Sequence, residues 1–487
     1  MGALLKNCGL VSLGVIAGLT ASLQYVGLTR PPPASAIAPE LRELTDVIRL
    51  IRSDYAEPVD SQQLVSGAIG AMVASLDAHS SYLDKKGYAE LRTATEGRFV
   101  GLGIEIAHSG EGAIRIVAPL EDSPAYRAGI LPGDLITEID AQPIQVLGID
   151  GAIEKMRGAA HTRVALTITR GDVAEPLNFI IAREEIVQKS VKGKIVEPGY
   201  GWLRVAQFQE PTLGDLAARL AILYRQEPEL KGLVLDLRDD PGGLLQGAIG
   251  VAAAFLPKDA AIVATDGQLP DAKQTFYNRP EFYALRGDSD VLAHLPGSLK
   301  SVPLVVLVNT GSASASEIVA AVLQESGRAS ILGSQTFGKG SVQTIRPLSN
   351  DAALKLTTAR YYTPAGRSIQ AAGIVPDFLV DEDADGDDGT HRRLREADLD
   401  KHLAQGRGAQ PGAAPQRASE DPMRAPAMAP ERKAPDYGGV DDFQLRQALN
   451  HLKGLPLALS KHALTPAPAS ALAHQDRARG ATTAQAR

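Results

Sequence analysis

The stretch VNTGSASASEIVAAVL, from Val308 to Leu323, decides how the middle of this chain folds. The residues that lead into it, PLVVLVN, form a short apolar run that is typical of a buried strand. The residues that follow, SEIVAAVL, have the apolar spacing of a helix. The serines therefore lie on a turn between a strand and a helix. The free backbone N–H groups of a first helical turn can stabilise a negatively charged oxygen there.

These serines also have a purely structural explanation. Ser314 and Glu317 have the spacing of a capping box, in which the serine caps the helix and does nothing else. Taken alone, the stretch favours this explanation, because serine is a common helix cap. The pattern also does not distinguish Ser314 from Ser312 or Ser316. A catalytic serine would need a base from elsewhere in the chain.

Lys339, in TFGKGSVQT, is one candidate for that base. A lysine acts as a base only where burial or a nearby positive charge lowers the pKa of its ammonium from about 10.4 toward neutrality. The flanking glycines and Phe337 indicate an apolar, closely packed setting, and Gln343 could orient the amine through its side-chain carbonyl. Taken alone, however, the segment favours a solvated lysine in a glycine-rich turn.

Histidine is the other candidate base. The chain has nine histidines, of which five lie from His391 onward. A Ser-His-Asp hydrolase would need His79 or His294 at the serine. His79, in LDAHSSYL, also has a plain structural explanation, since a histidine beside Asp and Ser in a turn commonly makes local hydrogen bonds.

A third element is LDLRDDPGG, from Leu235 to Gly243. It reads as a strand that ends in charged residues and then Pro-Gly-Gly, which exposes backbone N–H groups at a sheet edge. Such groups suit an oxyanion. An ordinary β-turn explains the same residues, and none of the three elements decides the function alone.

The pattern of apolar residues changes along the chain. From about Pro39 to Glu96 it is helical. Between Gly97 and about Glu185 it consists of short alternating β segments with two helices, which predicts a compact β-rich module. From Gly201 strands alternate with helices, which predicts an α/β fold with a mostly parallel sheet covered by helices.

The two ends of the chain differ from its body. Cys8 to Leu28 is an apolar stretch without a charge, followed by Ala34-Ser35-Ala36. These features predict a signal peptide or a signal anchor over residues 1–36, and hence an exported protein with access to the membrane through this segment. Beyond about Asp381 the composition predicts disorder as far as Pro435, followed by one short amphipathic helix in DDFQLRQALNHLKGL.

Composition excludes some classes of function. The formal net charge is -7 and there is no basic block, which argues against a nucleic-acid surface. The only cysteine is Cys8, so the exported body has no disulfide framework. DEDADG, from Asp381 to Gly386, resembles the start of a calcium loop, but Arg392 stands where a bidentate glutamate is needed. We therefore expect no metal.

Taken together, the motifs GLGI, DLRDDPGG, NTGSASASEIVAAVLQESGRA, GSQTFGKGSVQT and LKLTTARYYTPAGRSIQAAGIVPD strongly resemble the C-terminal processing peptidases, also called tail-specific proteases. The resemblance covers about residues 40–403. It implies that the middle serine of SASAS, Ser314, is the nucleophile and that Lys339, 25 residues downstream, is the base. It also implies that Gln343 completes a Ser-Lys-Gln arrangement. Nothing in it requires a metal or an organic cofactor.

The resemblance also implies a domain plan. A helical module over 37–96 is followed by a PDZ domain over 97–185, a crotonase-like α/β protease core over 186–380 and a mostly disordered tail over 381–487. In the PDZ domain the loop Gly101, Leu102, Gly103 and Ile104 is expected to receive a peptide's C-terminal carboxylate while the peptide adds a strand to the domain edge. Three residues depart from the family's usual pattern: Asp240 replaces Asn, Ser334 replaces Glu and Ala78 replaces Pro.

The resulting hypothesis is an exported, periplasmic serine endopeptidase, either soluble or anchored to the inner membrane. Neutral Lys339 would take the Ser314 proton, while backbone amides near Gly243 and of Ala315 hold the oxyanion. Its partners would be proteins with free, apolar C-termini, with an adaptor protein and self-association left open. The alternatives are a PDZ scaffold with an inactive protease fold and a Ser-His-Asp hydrolase.

Overall fold

The computed structural model describes residues 38–109, 112–120, 122–171, 173, 175–284, 289–384, 394–404 and 436–460. The predicted signal segment, the Arg392 position and residues 405–435 of the predicted disordered tail lie outside this part. The chain divides into two compact units, with the boundary between Met72 and Val73. Within the described ranges, no helix has both the length and the apolar character needed to cross a bilayer.

The first unit contains the beginning of the segment predicted to be helical from Pro39 to Glu96, whose later part lies in the second unit and includes a short strand. Helix α1 covers Ala38–Asp54 and α2 covers Ser61–Ala74, so that α2 ends just beyond the unit boundary. The apolar positions of α1 at Leu41 and Leu50 are exposed. The two helices confirm the helical pattern predicted for these residues.

The second unit begins with β1 (Ser81–Leu83), α3 (Lys85–Glu96) and β2 (Arg98–Gly101). The predicted β-rich module follows. Its elements are β3 (Ile104–Ser109), β4 (Ala113–Pro119), α4 (Pro124–Arg127), β5 (Leu135–Ile139), β6 (Gln142–Pro143), α5 (Ile144–Met156), β7 (Arg163–Thr169), β8 (Leu177–Ala182) and β9 (Glu184–Val187).

The β-rich module has its own sheet and its own core. The strands lie in the order β3-β4-β5-β7-β8, with β6 paired to β5, so β3 is an edge strand. Fully buried side chains, among them Ile114, Ile136 and Ile168, form its core. Strands β2 and β9 pair with each other where the chain enters and leaves the module. This arrangement confirms a compact domain inserted before the α/β core.

The α/β core contains the remaining elements. They are β10 (Val191–Glu197), β11 (Tyr200–Val205), α6 (Thr212–Gln226), β12 (Gly232–Asp236), α7 (Leu245–Phe255), β13 (Ala261–Gly267), β14 (Gln274–Tyr277), β15 (Leu304–Val308), α8 (Ala315–Glu325), β16 (Ser330–Gly333), β17 (Ser341–Pro347), β18 (Ala353–Tyr362), β19 (Phe378–Leu379) and α9 (Phe443–Leu452).

Two sheets organise this core. The first has the order β10-β11-β12-β15-β16-β19, and every pair from β11 to β19 is parallel. The second has the order β1-β18-β13-β14, with β17 paired to β18. The parallel sheet confirms the α/β prediction, and its strand β15 is the buried run that precedes the serines.

The parallel sheet is covered on both faces. On one face Leu233 and Val306 pack in the large apolar cluster that includes α6, α7 and α8. On the other face Val234 and Val305 pack in a second cluster with Leu445 and other apolar residues of α9. Continuous apolar strands are expected where both faces of a sheet are buried. The segment expected to be mostly disordered therefore contributes a folded layer, and its predicted short helix is confirmed as α9.

Candidate active site

The turn between β15 and α8 holds Ser314 in a strained backbone conformation. Ser314 has φ 56° and ψ -110°, immediately before the first residue of α8, Ala315. A left-handed φ at a residue other than glycine costs on the order of 1–3 kcal/mol and is concentrated at functional sites. Ser314 is thus held at the helix N-terminus in a geometry that simple capping does not require.

The neighbouring serines use their hydroxyls for structure. Ser312 Oγ donates to the carbonyl of Leu237 at 2.7 Å. Ser316 Oγ lies 2.8 Å from the carbonyl of Asp240 and 2.7 Å from that of Ala313. Both side chains are fully buried. These contacts separate Ser314 from its neighbours, a distinction that the local sequence does not make.

Glu317 connects the Ser314 turn to the Lys339 loop. One of its oxygens, Oε2, accepts hydrogen bonds from the N–H of Ser314 at 2.8 Å and of Lys339 at 2.9 Å. The other oxygen accepts from the N–H of Gly338 at 2.8 Å and from the hydroxyl of Thr336 at 2.5 Å. The two loops are therefore adjacent at the backbone. The predicted capping glutamate has a second role that its spacing from Ser314 did not indicate.

The burial of Glu317 has an electrostatic consequence. The side chain is fully buried, and this desolvation raises the pKa of Glu317 to about 7, against the opposing effect of its four hydrogen bonds. Three of the four partners of Glu317 are backbone N–H groups, which can only donate. A protonated carboxyl would keep all four contacts only if its proton faced the Thr336 hydroxyl, which can also accept. The ionised form fits the site better than the neutral form.

Lys339 is half-buried, and its environment disfavours the ammonium form. Burial lowers the pKa of Lys339 below its ordinary value, and the positive charge of Lys355 lowers it further. The negative charges of Glu396, Glu317 and Asp77 act in the opposite direction. Among the described residues, no hydrogen bond joins Lys339 Nζ to the Ser314 hydroxyl. The structure thus brings the two backbones together without a hydrogen bond between the side chains.

In the described part of the chain, neither His79 nor His294 makes a hydrogen bond to Ser314. His79 Nε2 lies 2.7 Å from Glu396 Oε2, and the other oxygen of Glu396 accepts from Gln370 Nε2 at 2.6 Å. His294 is exposed. The geometry does not assemble the Ser-His-Asp alternative around Ser314. Glu396, which holds His79, comes from the segment predicted to be disordered, and no sequence pattern singled it out.

Gln343 lies on β17, and its amide contacts residues other than the lysine. Its Nε2 donates to Ser341 Oγ at 3.0 Å and lies 3.4 Å from Thr357 Oγ1. In the part of the chain that the structure describes, it makes no hydrogen bond to Lys339. The expected Ser-Lys-Gln arrangement is therefore only partly brought together.

The DLRDDPGG loop packs directly against the Ser314 turn. The carbonyl of Asp240 accepts from the N–H of Ala313 at 2.9 Å. A Cβ built on Gly242 would lie 2.9 Å from Ser314 Cβ and 2.9 Å from the nitrogen of Ala315. Gly243 is exposed, and within the described ranges neither its N–H nor that of Ala315 donates to a protein acceptor. The N–H of Ala315 directly follows the serine and Gly242 packs against Ser314 Cβ, so both unbonded N–H groups lie in segments that meet at the serine turn.

Asp240 is fully buried beside these amides. Its Oδ1 accepts from the N–H of Gly242 at 2.8 Å, and its Oδ2 has no hydrogen-bond partner among the described residues. Burial raises the pKa of Asp240 well above its usual range. Burial therefore disfavours a negative charge on Asp240, the residue that stands where the family's usual pattern has asparagine.

The GLGI loop sits at the start of the edge strand β3. Gly101, Leu102 and Gly103 are buried and Ile104 is half-buried. The carbonyls of Leu102 and Gly103 are occupied by internal hydrogen bonds at 3.0 and 2.8 Å. Gly103 has φ +72°, and a Cβ there would lie 2.3 Å from Ser123 Cβ, so the loop requires glycine at this position.

Comparison with known proteins identifies three matching regions. Residues 199–380 match Peptidase family S41, residues 115–170 match the PDZ domain, and residues 27–87 match the Activating protease CtpB N-terminal domain. These matches fall on the N-terminal part of the chain, the β-rich module and the α/β core, in that order along the sequence.

Curated relatives match over most of the chain. A "Carboxy-terminal-processing protease" of Bartonella bacilliformis is 45% identical over 345 residues, which is 70% of this chain and 75% of the relative. A "Probable CtpA-like serine protease" of Staphylococcus aureus is 35% identical over 372 residues, 75% of this chain and 69% of the relative. Among solved structures, a photosystem II D1 C-terminal processing protease is 28% identical, covers 70% of this chain and 86% of its own, and has a TM-score of 0.39.

The contact between Gly242 and Ser314 leads to a prediction. In Gly242→Ala the new Cβ would lie within 3 Å of Ser314 Cβ and of two backbone atoms, at a φ of +98° that alanine disfavours. We expect kcat/KM for a cleavable peptide to fall by about 100-fold or more, because the loop and the serine must separate. The matched control is Gly214→Ala, in the first turn of α6, where a Cβ meets open space. Wild-type activity in Gly242→Ala would contradict the described packing.

Proposed function

Because the chain belongs to peptidase family S41, we propose that it is an exported serine endopeptidase that recognises the C-termini of protein substrates and cleaves peptide bonds with a Ser314–Lys339 dyad. The family assignment makes it a serine peptidase with a PDZ domain. The observation that supports the dyad is the single oxygen of Glu317 that accepts from the N–H groups of Ser314 and Lys339. Two residues 25 positions apart are thereby held side by side.

The proposed reaction is acyl transfer to the serine. The neutral amine of Lys339 removes the Ser314 proton as Ser314 Oγ bonds to the substrate carbonyl carbon. The negative charge moves to the carbonyl oxygen, where the N–H groups of Gly243 and Ala315 stabilise it. The Lys339 ammonium then returns its proton to the leaving amine as the peptide bond breaks. Water, activated by the same lysine, hydrolyses the acyl-enzyme.

The lysine must move for this reaction. Its Nζ is not hydrogen-bonded to Ser314 in the described structure, and catalytic contacts often close only when substrate binds. The charges of Glu396 and Asp77 stabilise the ammonium in its present position. Movement of the amine away from these carboxylates would favour its neutral form. Gln343 is proposed to orient the lysine only in that substrate-bound arrangement.

The PDZ domain is proposed to select substrates by a free, apolar C-terminus. The edge position of β3 leaves one side open for a peptide strand, and the GLGI backbone begins this edge. The peptide carboxylate would be received by amides of Gly101–Ile104. Specificity would then come from the PDZ domain and chemistry from the separate serine site.

Export is proposed from the sequence alone. The uncharged stretch Cys8 to Leu28 and the following Ala34-Ser35-Ala36 are typical of a segment that directs secretion. The protein would act in the periplasm, either released or held at the inner membrane by this segment.

The dyad can be tested with variants of the full chain. Ser314→Ala and Lys339→Ala should each lower kcat/KM on a peptide with an apolar free C-terminus by on the order of 10³-fold.

In the wild type kcat/KM should rise with pH through the lowered pKa of Lys339, because only the deprotonated amine is a base. Lys339→Arg should be inactive at every pH, since arginine stays charged. His294→Ala, at an exposed histidine, is the control, and full activity in Lys339→Ala would refute the dyad.

The PDZ role can be tested with one peptide in two forms. Amidation of the substrate's C-terminus removes the carboxylate, so KM should rise about tenfold while the scissile bond stays the same. Gly103→Ala should abolish this preference, because its Cβ would overlap Ser123. Gly171→Ala, which meets open space in the same domain, is the matched control. Equal KM values for the acid and the amide in the wild type would exclude carboxylate recognition.

A further inference from the structure

Residues 436–460 pack against the parallel sheet on the face opposite α6, α7 and α8. Leu445, Ala448 and Leu449 of α9 are buried against strands β12, β15 and β16. These apolar contacts are enough to hold the helix on the sheet. The polar residues just before the helix make a separate set of contacts. These contacts reach the DLRDDPGG loop and, through it, the Ser314 turn.

Tyr437 makes the first of these contacts. Its hydroxyl donates to Asp239 Oδ2 at 2.5 Å. The guanidinium groups of Arg204 and Arg238 lie over its ring, 4.3 and 4.2 Å from the centroid. Burial raises the pKa of Tyr437, and the hydrogen bond to Asp239 raises it further. The hydroxyl therefore stays protonated as a donor at neutral pH.

Asp239 joins the DLRDDPGG loop, residues 235–243 and called the oxyanion loop from here on, to the Ser314 turn. It immediately precedes Asp240 in the oxyanion loop and has a left-handed φ of 52°. Its N–H donates to Asn309 Oδ1 at 2.8 Å, and its Oδ1 accepts from Asn309 Nδ2 at 3.0 Å. Asn309 Oδ1 also accepts from the N–H of Gly311, three residues before Ser314. A shift of Asp239 would therefore be felt in both loops.

Asp442 holds Arg238, the residue that precedes Asp239 in the oxyanion loop. Its two carboxylate oxygens accept from Arg238 Nη1 at 2.9 Å and from Nη2 at 2.6 Å. Arg238 is almost fully buried and also donates to Asp236. Arg238 follows β12 and leads into Gly242 and Gly243. It is thus held on one side by Asp236, the last residue of β12, and on the other by Asp442.

We propose that Tyr437 is a positioning residue of the peptidase, which acts through Asp239 to align the oxyanion loop with the Ser314 turn. This inference rests on the proposed roles of Ser314 and Gly243. The Tyr437 hydroxyl holds Asp239 in its left-handed conformation, and Asp239 in turn fixes Asn309 and the approach to the serine. Residues 436–460 therefore contribute to the active site in addition to packing against the sheet.

The test is Tyr437→Phe in the full chain, because this change removes the hydroxyl and keeps the ring between its neighbours. Active sites are counted with a fluorophosphonate that labels the catalytic serine, and kcat is expressed per labelled site. We expect kcat to fall about tenfold with KM unchanged, and we expect the lost hydrogen bond to a charged group to lower the thermal midpoint as well.

Two further variants sharpen the result. Tyr200→Phe, in the same apolar cluster with its ring near Lys453, is the matched control and should behave as wild type. Asp239→Asn combined with Tyr437→Phe should be no slower than the slower of the two single variants, because both changes break one chain of contacts.

The outcomes are distinguishable. An unchanged kcat per labelled site in Tyr437→Phe overturns the inference, whether or not the thermal midpoint falls, since a lower midpoint alone would indicate a purely structural role. Independent, multiplying effects in the double variant also overturn it. If wild type does not cleave, or Ser314→Ala cleaves as well as wild type, the proposed function fails first and this inference fails with it.

Discussion

A single carboxylate oxygen, Glu317 Oε2, holds the N–H groups of Ser314 and Lys339 at 2.8 and 2.9 Å, and the geometry of the site depends on it. The two residues come from different loops, one between β15 and α8 and the other before β17. Glu317 is fully buried, and its second oxygen fixes Gly338 and Thr336 on the lysine loop. Because a buried carboxylate without its donors would be costly, the two loops and the glutamate stabilise one another.

Residues beyond the protease core support the site from two sides. Glu396, hydrogen-bonded to His79 and Gln370, lies beside the Lys339 loop. Tyr437 contacts Asp239 beside the oxyanion loop. The match to Peptidase family S41 ends at residue 380, so both contacts come from later in the chain. Residues that follow the matched region thus contact segments on both sides of the candidate serine site.

Sequence patterns predicted the parts of this structure that depend on local periodicity. The valine-rich run of β15 predicted a strand buried on both faces, and the amphipathic spacing after residue 441 predicted α9. The choice of Ser314 came from resemblance to a family. In the structure, Ser314 differs from Ser312 and Ser316 because the hydroxyls of those two serines are bonded to backbone carbonyls. No local sequence pattern reveals these bonds.

Glu396 and Tyr437 lie in segments whose composition resembles a disordered tail. Their long-range contacts leave no periodic signal in the sequence. The register of β17 against β18 shifts between Val342 and Gln343, which re-aims the glutamine relative to a regular strand.

The most direct test of this account is the rate at which a fluorophosphonate labels Ser314 in Glu317→Gln, compared with Glu325→Gln at the exposed end of the same helix. The amide introduced by Glu317→Gln would present a donor to groups that are themselves donors, so the Ser314 and Lys339 loops should separate. Labelling should slow by about 100-fold or more in Glu317→Gln, with the circular dichroism spectrum retained, and should stay near the wild-type rate in Glu325→Gln. Labelling of Glu317→Gln at the wild-type rate would contradict it.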